Sequence, residues 1–354
     1  MKIGIFGLPQ SGKKTLFTLL TGAGAREAGA DTVSGVAEVL DGRFDRLVEL
    51  YHPKKETRAR INIDLLPDVD AEALRDGAIF RDIAGMDALC CVVRAFEDDT
   101  VYHPAGSVDA ARDLAMIAAE LVLHDLLFVE KRLERIEAGK KKPNAEALKK
   151  EEDIMLRFRE HLEKELPLRA LELSADDKKI LSGYPLITLK KMIAVLNVGD
   201  TSLSDTKLAE ALRGKLPGAE IEYMQISART EAEIAALESA EERAEFMAAS
   251  GIAEPAINLL SRTCMRALGL ISFFTVGEDE VKQWLVRDRA LAPEAGGVIH
   301  SDIQRGFIRA EVIKFDDIIA LKNEEAVKKA GKLMVMGKDY PVADGDIISF
   351  RFNV

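Results

Sequence analysis

The sequence predicts an α/β protein whose main domain contains a mostly parallel sheet covered by helices on both faces. Its strand-like runs alternate with helical stretches, and they lie at residues 2–6, 35–40, 61–66, 89–93 and 192–197. Such alternation is typical of βαβ units, which place a parallel sheet between helices. A glycine-rich loop follows the first run directly. It therefore lies at the carboxyl edge of the predicted sheet, where open α/β sheets bind ligands.

The loop at residues 7–15 has the pattern of a phosphate-binding loop with one substitution. Gly7 and Gly12 allow backbone amides to close around phosphate oxygens, and Lys13 reaches the terminal phosphates from a helix N-terminus. Thr15 holds the position whose hydroxyl and amide usually contact the α-phosphate. These residues predict that the chain binds a nucleotide. The predicted contacts in this segment are Gly7, Pro9, Gln10, Ser11, Gly12, Lys13, Lys14 and Thr15.

Lys14 is the substituted position of the loop. A hydroxyl that binds Mg²⁺ is normally found here, and the ammonium group of a lysine repels a metal cation. Two interpretations are open: Lys14 supplies part of the positive charge that Mg²⁺ would bring to the β-phosphate, or it is a surface lysine that points away from the loop. Mg²⁺ is doubtful as a cofactor, and Mg²⁺-dependent hydrolysis does not follow from this loop.

Charge and hydropathy limit the compartment and the partners. The chain has 354 residues and a formal net charge of -11, which argues against a surface that wraps nucleic acid, because phosphate contacts need clustered lysine and arginine. No stretch is apolar for the length that a bilayer requires, and a strand leading into the loop stands where a signal peptide would be. We therefore expect a cytoplasmic protein with no membrane or DNA partner.

A long helical insertion separates the fourth strand-like run from the fifth. Apolar residues recur at helical spacing from residue 114 to 136 and again from 148 to 166, and Gly139 and Pro143 interrupt the pattern. This predicts two antiparallel helices joined by a basic tip at Lys140, Lys141 and Lys142, which is either a solvated loop or an RNA contact.

The C-terminal stretch changes character and predicts a separate small α+β domain. Short strands are punctuated by glycine, and Asp344-Gly345-Asp346 is typical of a hairpin-type turn. The predicted domain boundaries are residues 1–113 with 186–270 for the nucleotide-binding domain, 114–185 for the helical hairpin and 271–354 for the C-terminal domain.

Several motifs resemble those of the Obg-like ATPase (YchF) family. They are Gly7-Leu8-Pro9 with Gly12-Lys13, VRAFEDD at 93–99 and VEKRL at 129–133, and the C-terminal segments 274–277, 297–302, 305–311, 337–340 and 352–354. The resemblance implies a P-loop NTPase domain interrupted by a helical hairpin and followed by a TGS domain with a β-grasp fold. It also implies a preference for ATP over GTP and association with ribosomes.

The chain departs from the family pattern where phosphoryl transfer needs it most. Asp64 aligns with the metal-proximal aspartate and is the candidate metal ligand, but Pro67 replaces the glycine whose amide contacts the γ-phosphate. Proline has no amide hydrogen, so that contact cannot form. Residues 68–74 form an acidic, helix-like segment in place of a glycine-rich switch, and this segment would repel a triphosphate. Whether the protein is an enzyme is therefore uncertain.

The predicted base-binding residues do not agree on whether the base is adenine or guanine. Guanine-specific relatives use asparagine-lysine-x-aspartate, and here Val198 replaces the lysine whereas Asp200 keeps the guanine-type carboxylate. ATP is favoured, and GTP stays open. The predicted contacts are Asn197, Val198, Asp200, Ser227 and Ala228, of which Asn197 and Ser227 could equally cap a turn and a helix.

Two functions compete. The first is a ribosome-associated nucleotide switch with weak or impaired hydrolysis, and the second is a non-catalytic, degenerate paralogue that acts as a protein or RNA interaction module. The candidate ribosomal RNA contact is a C-terminal basic patch, and its alternative is a solvated sheet face whose charges are balanced. The basic patch consists of Arg305, Arg309, Lys314, Lys332 and Lys338.

Overall fold

The computed structural model describes residues 1–23, 32–139, 145–203, 205, 207–216 and 218–353. Contacts divide the chain into two units, one formed by residues 1–35 with 62–257 and the other by residues 36–61 with 258–354. Among the described residues, no helix combines the length and the apolar character that crossing a membrane requires.

The described strands and helices alternate along most of the chain. The strands are β1 (Lys2–Phe6), β2 (Val33–Glu38), β3 (Lys55–Thr57), β4 (Arg60–Leu65), β5 (Ala88–Ala95), β6 (Lys191–Val198), β7 (Ile221–Ile226), β8 (Leu270–Thr275), β9 (Glu280–Arg287), β10 (Phe307–Lys314), β11 (Met334–Met336) and β12 (Asp346–Phe352). The helices are α1 (Lys13–Thr21), α2 (Gly42–Tyr51), α3 (Ala71–Asp76), α4 (Ala78–Ala84), α5 (Ala110–Gly139), α6 (Ala145–Leu162), α7 (Ala175–Leu181), α8 (Lys207–Lys215), α9 (Ala228–Ala236), α10 (Ala240–Ala249), α11 (Ala256–Ala267), α12 (Ala292–Ile299), α13 (Ser301–Arg305), α14 (Phe315–Leu321) and α15 (Glu324–Lys329).

The first sheet confirms the predicted mostly parallel arrangement. Its strand order is β2-β4-β1-β5-β6-β7, and β1 pairs in parallel with β4 and β5, as β6 does with β5 and β7. The middle strands β5 and β6 are buried almost throughout, because helices cover both faces of a parallel sheet. The carboxyl ends of these strands therefore meet along one edge.

The helical insertion forms the predicted hairpin. Helices α5 and α6 pack together over a hydrophobic cluster that includes Val129, Met155 and Phe158. Arg132 of α5 pairs with Glu151 of α6 across this interface. The predicted basic tip, Lys140 to Lys142, lies outside the described residues.

A buried carboxylate attaches α5 to the segment before β6. Asp125 is completely inaccessible to solvent. It accepts hydrogen bonds from the backbone amides of Ile187 (3.0 Å) and Thr188 (2.7 Å) and from the Thr188 hydroxyl (2.6 Å). A buried charge is tolerated when several donors satisfy it, so this contact fixes where the hairpin leaves the sheet.

The second sheet has the strand order of a β-grasp fold. Its order is β11-β10-β12-β8-β9-β3, in which β8 and β9 form an antiparallel hairpin and β12 pairs in parallel with β8. Strand β10 is antiparallel to β12 and to the edge strand β11. The fold expected from the family resemblance is thus confirmed. The turn at residues 344–346 leads into β12 but closes no hairpin, because the neighbours of β12 are β10 and β8.

Residues 42–57, which contain α2 and β3, pack with the C-terminal part of the chain, whereas β2 and β4 on either side of them belong to the first sheet. Strand β3 extends the β-grasp sheet by pairing with β9, and Phe44 and Leu47 of α2 share a hydrophobic cluster with Phe274 and Val281. The predicted boundaries place these residues in the nucleotide-binding domain, because nothing in their local pattern reveals a distant packing partner. Those boundaries remain a prediction.

Candidate functional site

The predicted phosphate and base contacts lie at or just after the carboxyl ends of β1, β6 and β7, and residues 96–102, which were not predicted contacts, join them from the neighbouring strand β5. The phosphate loop follows β1, residues 96–102 follow β5, Asp200 comes two residues after β6, and Ser227 follows β7 directly. The parallel register aligns Arg94 of β5 with Asn197 of β6 and Asn197 with Ile226 of β7. This alignment brings segments that are far apart in sequence to one edge of the sheet.

The loop between β1 and α1 depends on its glycines. Gly7 and Gly12 have φ angles of +155° and +92°, and Gln10 also lies in the left-handed region. A Cβ at position 7 would lie 2.3 Å from the carbonyl oxygen of Val92, and one at position 12 would lie 2.2 Å from Nδ2 of Asn197. Left-handed residues turn successive amides toward a common centre, which creates an anion-binding concavity.

Lys13 and Ser11 supply polar groups inside this loop. The Lys13 side chain is only 4% exposed, and its ammonium donates to the carbonyl of Leu8 at 3.2 Å. Burial, and secondarily the charge of Lys14, lower the pKa of Lys13 to about 8, so the ammonium remains mostly charged at pH 7. The hydroxyl oxygen of Ser11 is buried and has no hydrogen-bond partner among the described residues. A hydroxyl without a partner and a buried cation in the same loop fit the phosphate groups of a nucleotide.

Seven of the predicted contacts line one cavity of about 540 Å³, a volume suited to a small ligand. They are Gly12, Thr15, Asn197, Val198, Asp200, Ser227 and Ala228. Phe96, Asp98 and Arg229 also line this cavity, although the sequence motifs did not single them out as contacts. Phe96 and Asp98 lie in the family motif at 93–99 and Arg229 follows Ala228 directly, so their sequence signals were this motif and their positions just after strands of the predicted sheet.

Asn197 joins the phosphate loop to the base side of the cavity. Its Nδ2 donates to the carbonyl of Ser11 at 3.0 Å, and its Oδ1 accepts from the amide of Ala228 at 3.0 Å. Asp200 Oδ1 accepts from the hydroxyls of Ser227 and Thr230, both at 2.6 Å. These two hydrogen bonds hold the pKa of Asp200 below its ordinary value. Ser227 also caps α9 through the Thr230 amide, as the sequence suggested.

Val198 is 3% exposed and belongs to the hydrophobic core of the first sheet. It therefore cannot place a long stem against a ligand ring as the lysine of guanine-specific relatives does. Phe96 is the aromatic side chain in the cavity wall. The guanidinium of Arg94 lies 4.6 Å from its ring centroid, a distance at which a cation–π contact stabilises the ring.

Arg94 also organises the loop that carries Phe96 and Asp98. Its buried guanidinium donates to the carbonyl oxygens of Phe96 (3.1 Å), Asp98 (3.2 Å), Val101 (3.0 Å) and Tyr102 (3.3 Å). One side chain thus donates hydrogen bonds to four backbone carbonyls of the loop at residues 96–102. This contact set explains how a segment without regular secondary structure forms a defined cavity wall.

The surroundings of Asp64 do not fit Mg²⁺. Oδ2 of Asp64 pairs with the ammonium of Lys2 at 2.9 Å, and Oδ1 is buried without a partner in the described part of the chain. Lys14, which replaces the hydroxyl ligand, is exposed. In the described ranges, no three His, Cys, Asp or Glu residues come together in a metal-binding group. The ammonium of Lys2 already occupies a carboxylate oxygen that a divalent cation would need, which disfavours such an ion.

The segment after β4 differs from its sequence expectation. The helix begins only at Ala71, where Asp70 caps it by accepting from the amides of Glu72 and Ala73. Asp68 lies outside this helix, and its carboxylate pairs with the ammonium of Lys13. The sequence pattern could not show this contact, because 55 residues separate the partners.

Comparison with known proteins identifies the family. Ribosome-binding ATPase YchF of Bacillus subtilis is 38% identical over 363 residues, and the alignment covers 99% of this chain and 99% of the relative. The chain belongs to the YchF family of Obg-like ATPases. Obg-like ATPase 1 of Oryza sativa subsp. japonica is 37% identical over 100% of this chain and 92% of its own. A family model named YchF-GTPase_C, described as a protein of unknown function (DUF933), matches residues 270–353.

Solved structures agree with this assignment. The structure of the Schizosaccharomyces pombe YchF GTPase superposes with a TM-score of 0.83 at 29% identity, covering 99% of this chain and 97% of the other. A GTP-binding protein of Pyrococcus horikoshii superposes with a TM-score of 0.57 at 17% identity over the full length of both chains, which supports the fold alone.

We expect Arg94→Met to loosen the cavity wall without unfolding the sheet. The variant removes the donors for four carbonyl oxygens, so hydrogen exchange of amides 96–102 rises by about tenfold or more while β5 and β6 stay protected. Hydrogen exchange read by mass spectrometry measures this. Arg229→Met is the matched control, because Arg229 lines the same cavity and pairs with the exposed Glu233. Unchanged exchange in the Arg94 variant would contradict this role.

Proposed function

We propose that this chain is a ribosome-associated protein that binds a nucleotide and hydrolyses it weakly or not at all. The observation that carries the nucleotide part is a cavity lined by Gly12 and Thr15 of the phosphate loop and by the Asn197 to Asp200 segment, with Asn197 bonded to the Ser11 carbonyl of that loop. Gly7, Ser11, Gly12 and Lys13 would hold the phosphates. Asn197, Asp200 and the Ala228 backbone would define the base end, with Phe96 against the ring.

ATP is the favoured nucleotide, and GTP is the second candidate. The curated relatives are named ATPases, and the buried Val198 is poorly suited to packing on a guanine ring. The fission-yeast relative, by contrast, is named a GTPase, and the Asp200 carboxylate can accept the ring and amino hydrogens of guanine. Asp200 is therefore the residue that keeps GTP in consideration.

Three features support impaired hydrolysis. Lys14 replaces the metal-binding hydroxyl, Pro67 lacks the amide that would contact a γ-phosphate, and Lys2 occupies one oxygen of Asp64. A protein with these substitutions can still bind the phosphate chain. The alternative function, a non-catalytic interaction module that holds nucleotide weakly or not at all, rests on the same three features.

Ribosome association is proposed from the relatives that are named ribosome-binding. The basic patch gives it little added support, since carboxylates already neutralise most of its cations. Asp302 pairs with Arg305, and Asp317 pairs with Lys332. Lys314 pairs with the fully buried Asp346. These ion pairs favour the alternative interpretation of the patch, a solvated surface whose positive and negative charges balance.

Lys13→Ala tests the nucleotide site. We expect its affinity for ATP to fall by about tenfold or more, because a buried cation that contacts phosphate directly is lost. Isothermal titration with ATP and GTP measures the effect. Lys149→Ala, on the exposed side of α6, is the control and should match the wild type. Unchanged affinity in the Lys13 variant would refute nucleotide binding at this loop.

Removal of Mg²⁺ tests the substituted metal site. Wild-type affinity for ATP should change by less than about threefold between excess Mg²⁺ and EDTA, because the donor set does not fit the ion. Lys14→Ser removes the repelling ammonium and restores a hydroxyl, so we expect its affinity to become tighter with Mg²⁺ than with EDTA. Lys149→Ser serves as the control. A strong Mg²⁺ requirement of the wild type would contradict this interpretation.

Salt-dependent cosedimentation tests ribosome association. We expect the protein to sediment with ribosomes at low salt and to lose affinity only shallowly as salt rises from about 50 to about 200 mM, because paired cations contribute few phosphate contacts. A loss of about a thousandfold over that range would instead indicate that phosphate contacts dominate. Failure to cosediment at the lowest salt would contradict association.

A further inference from the structure

The lysine of the phosphate loop already has an anionic partner within the chain. The ammonium of Lys13 contacts Oδ1 of Asp68, and the Lys13 side chain is 4% exposed whereas that of Asp68 is 38% exposed. In loops of this class the lysine reaches the β- and γ-phosphates. The Asp68 carboxylate therefore occupies a donor of the ammonium that a terminal phosphate would otherwise use.

The backbone on both sides of Asp68 is fixed. The amide of Leu66 donates to the carbonyl of Ile5 at 2.9 Å, and the amide of Val69 donates to the carbonyl of Gly7 at 3.0 Å. The Val69 side chain is 3% exposed, and Asp70 begins α3 as its N-cap. Asp68 thus sits between two backbone hydrogen bonds to β1 and the phosphate loop, which aim its carboxylate at Lys13.

An ammonium group can serve two anions at once. It has three N–H donors, of which one is directed to the Leu8 carbonyl and one to Asp68. The third can bind a β-phosphate while the contact with Asp68 persists. A γ-phosphate, by contrast, would have to take the place of the carboxylate, and both groups are negatively charged. Pro67 offers no amide to compensate for this repulsion.

We propose that the site is selective for nucleoside diphosphates over triphosphates, with the Asp68 carboxylate standing in for the terminal phosphate. This inference rests on the proposed nucleotide-binding function and adds the phosphate number of the ligand. Asp68 is the residue that determines the selectivity. The base plays no part, so the preference holds for adenine and guanine nucleotides alike. Binding of a diphosphate leaves the ion pair intact, whereas binding of a triphosphate breaks it and places two like charges together.

Isothermal titration of the full-length chain with ADP, ATP, GDP and GTP, each without metal, tests this selectivity. We expect the wild type to bind ADP about tenfold or more tighter than ATP. Asp68→Asn keeps the side-chain shape and removes the charge, so its ATP affinity should rise by about tenfold while its ADP affinity changes by less than about threefold. Glu72→Gln is the matched control, because it removes an equal charge from the exposed face of α3 and should behave as the wild type does.

The outcomes separate this inference from the function on which it rests. If neither the wild type nor Asp68→Asn binds any of the four nucleotides, the nucleotide-binding function is wrong. If the wild type binds ADP and ATP equally and Asp68→Asn changes neither, the function stands and the diphosphate selectivity is overturned. An equal gain for both nucleotides in Asp68→Asn would also overturn it, since Asp68 would then be a general competitor. Asp68→Ala, checked by thermal melting, gives a second variant that should shift in the same direction.

Discussion

The site depends on the side-chain amide of Asn197, which holds two distant segments at one point. Its amide nitrogen binds the Ser11 carbonyl in the phosphate loop, and its oxygen binds the Ala228 amide at the start of α9. The residue is 4% exposed, so these bonds form in a region from which water is largely excluded and are correspondingly strong. Position 12 needs a glycine because Asn197 occupies the space that a side chain would take. Asn197 can therefore make its bond to the loop only if residue 12 is a glycine.

Around this link, protein charges lie where other P-loop proteins have their Mg²⁺ ligands. Other P-loop proteins bring Mg²⁺ to the phosphates through a hydroxyl and an aspartate. Here ammonium groups stand at both positions, since Lys14 replaces the hydroxyl and Lys2 pairs with Asp64. Asp68 adds an anion beside Lys13. The loop keeps the glycines and the lysine of a phosphate-binding loop, and these surrounding charges are the basis of the proposal that the site binds a nucleotide without efficient turnover.

Local rules predicted much of the fold. The alternation of apolar runs and helical stretches located five strands of the first sheet within about two residues of their ends. The helix after the phosphate loop ends at Gly22, which adopts a left-handed conformation, as glycine at a helix end usually does. The hairpin followed from leucine spacing in α5 and α6. These features depend on neighbours in sequence, so the pattern alone contains them.

The C-terminal unit shows where local rules stop. Its β-grasp order was expected only from the family motifs, because strand order is a property of distant pairing. Residues 42–57 joined this unit through Phe44, Leu47 and the β3–β9 pairing. Their local sequence pattern does not distinguish elements that join the first sheet from elements that join the second. The sequence analysis predicted helical stretches between the strand-like runs, but it did not locate α2 or β3 and could not show which sheet they would join.

The sequence by itself determined which chemical groups the site can use: a glycine loop with a lysine, no metal hydroxyl at position 14, and no amide at position 67. These facts follow from residue identity and need no coordinates. Only the tertiary structure decided that Asp68 pairs with Lys13, that Lys2 pairs with Asp64, and that Arg94 supports the cavity wall. Electrostatic contacts depend on distance in space, and the parallel register of β1, β4, β5 and β6 sets those distances for residues that are tens of positions apart in the chain.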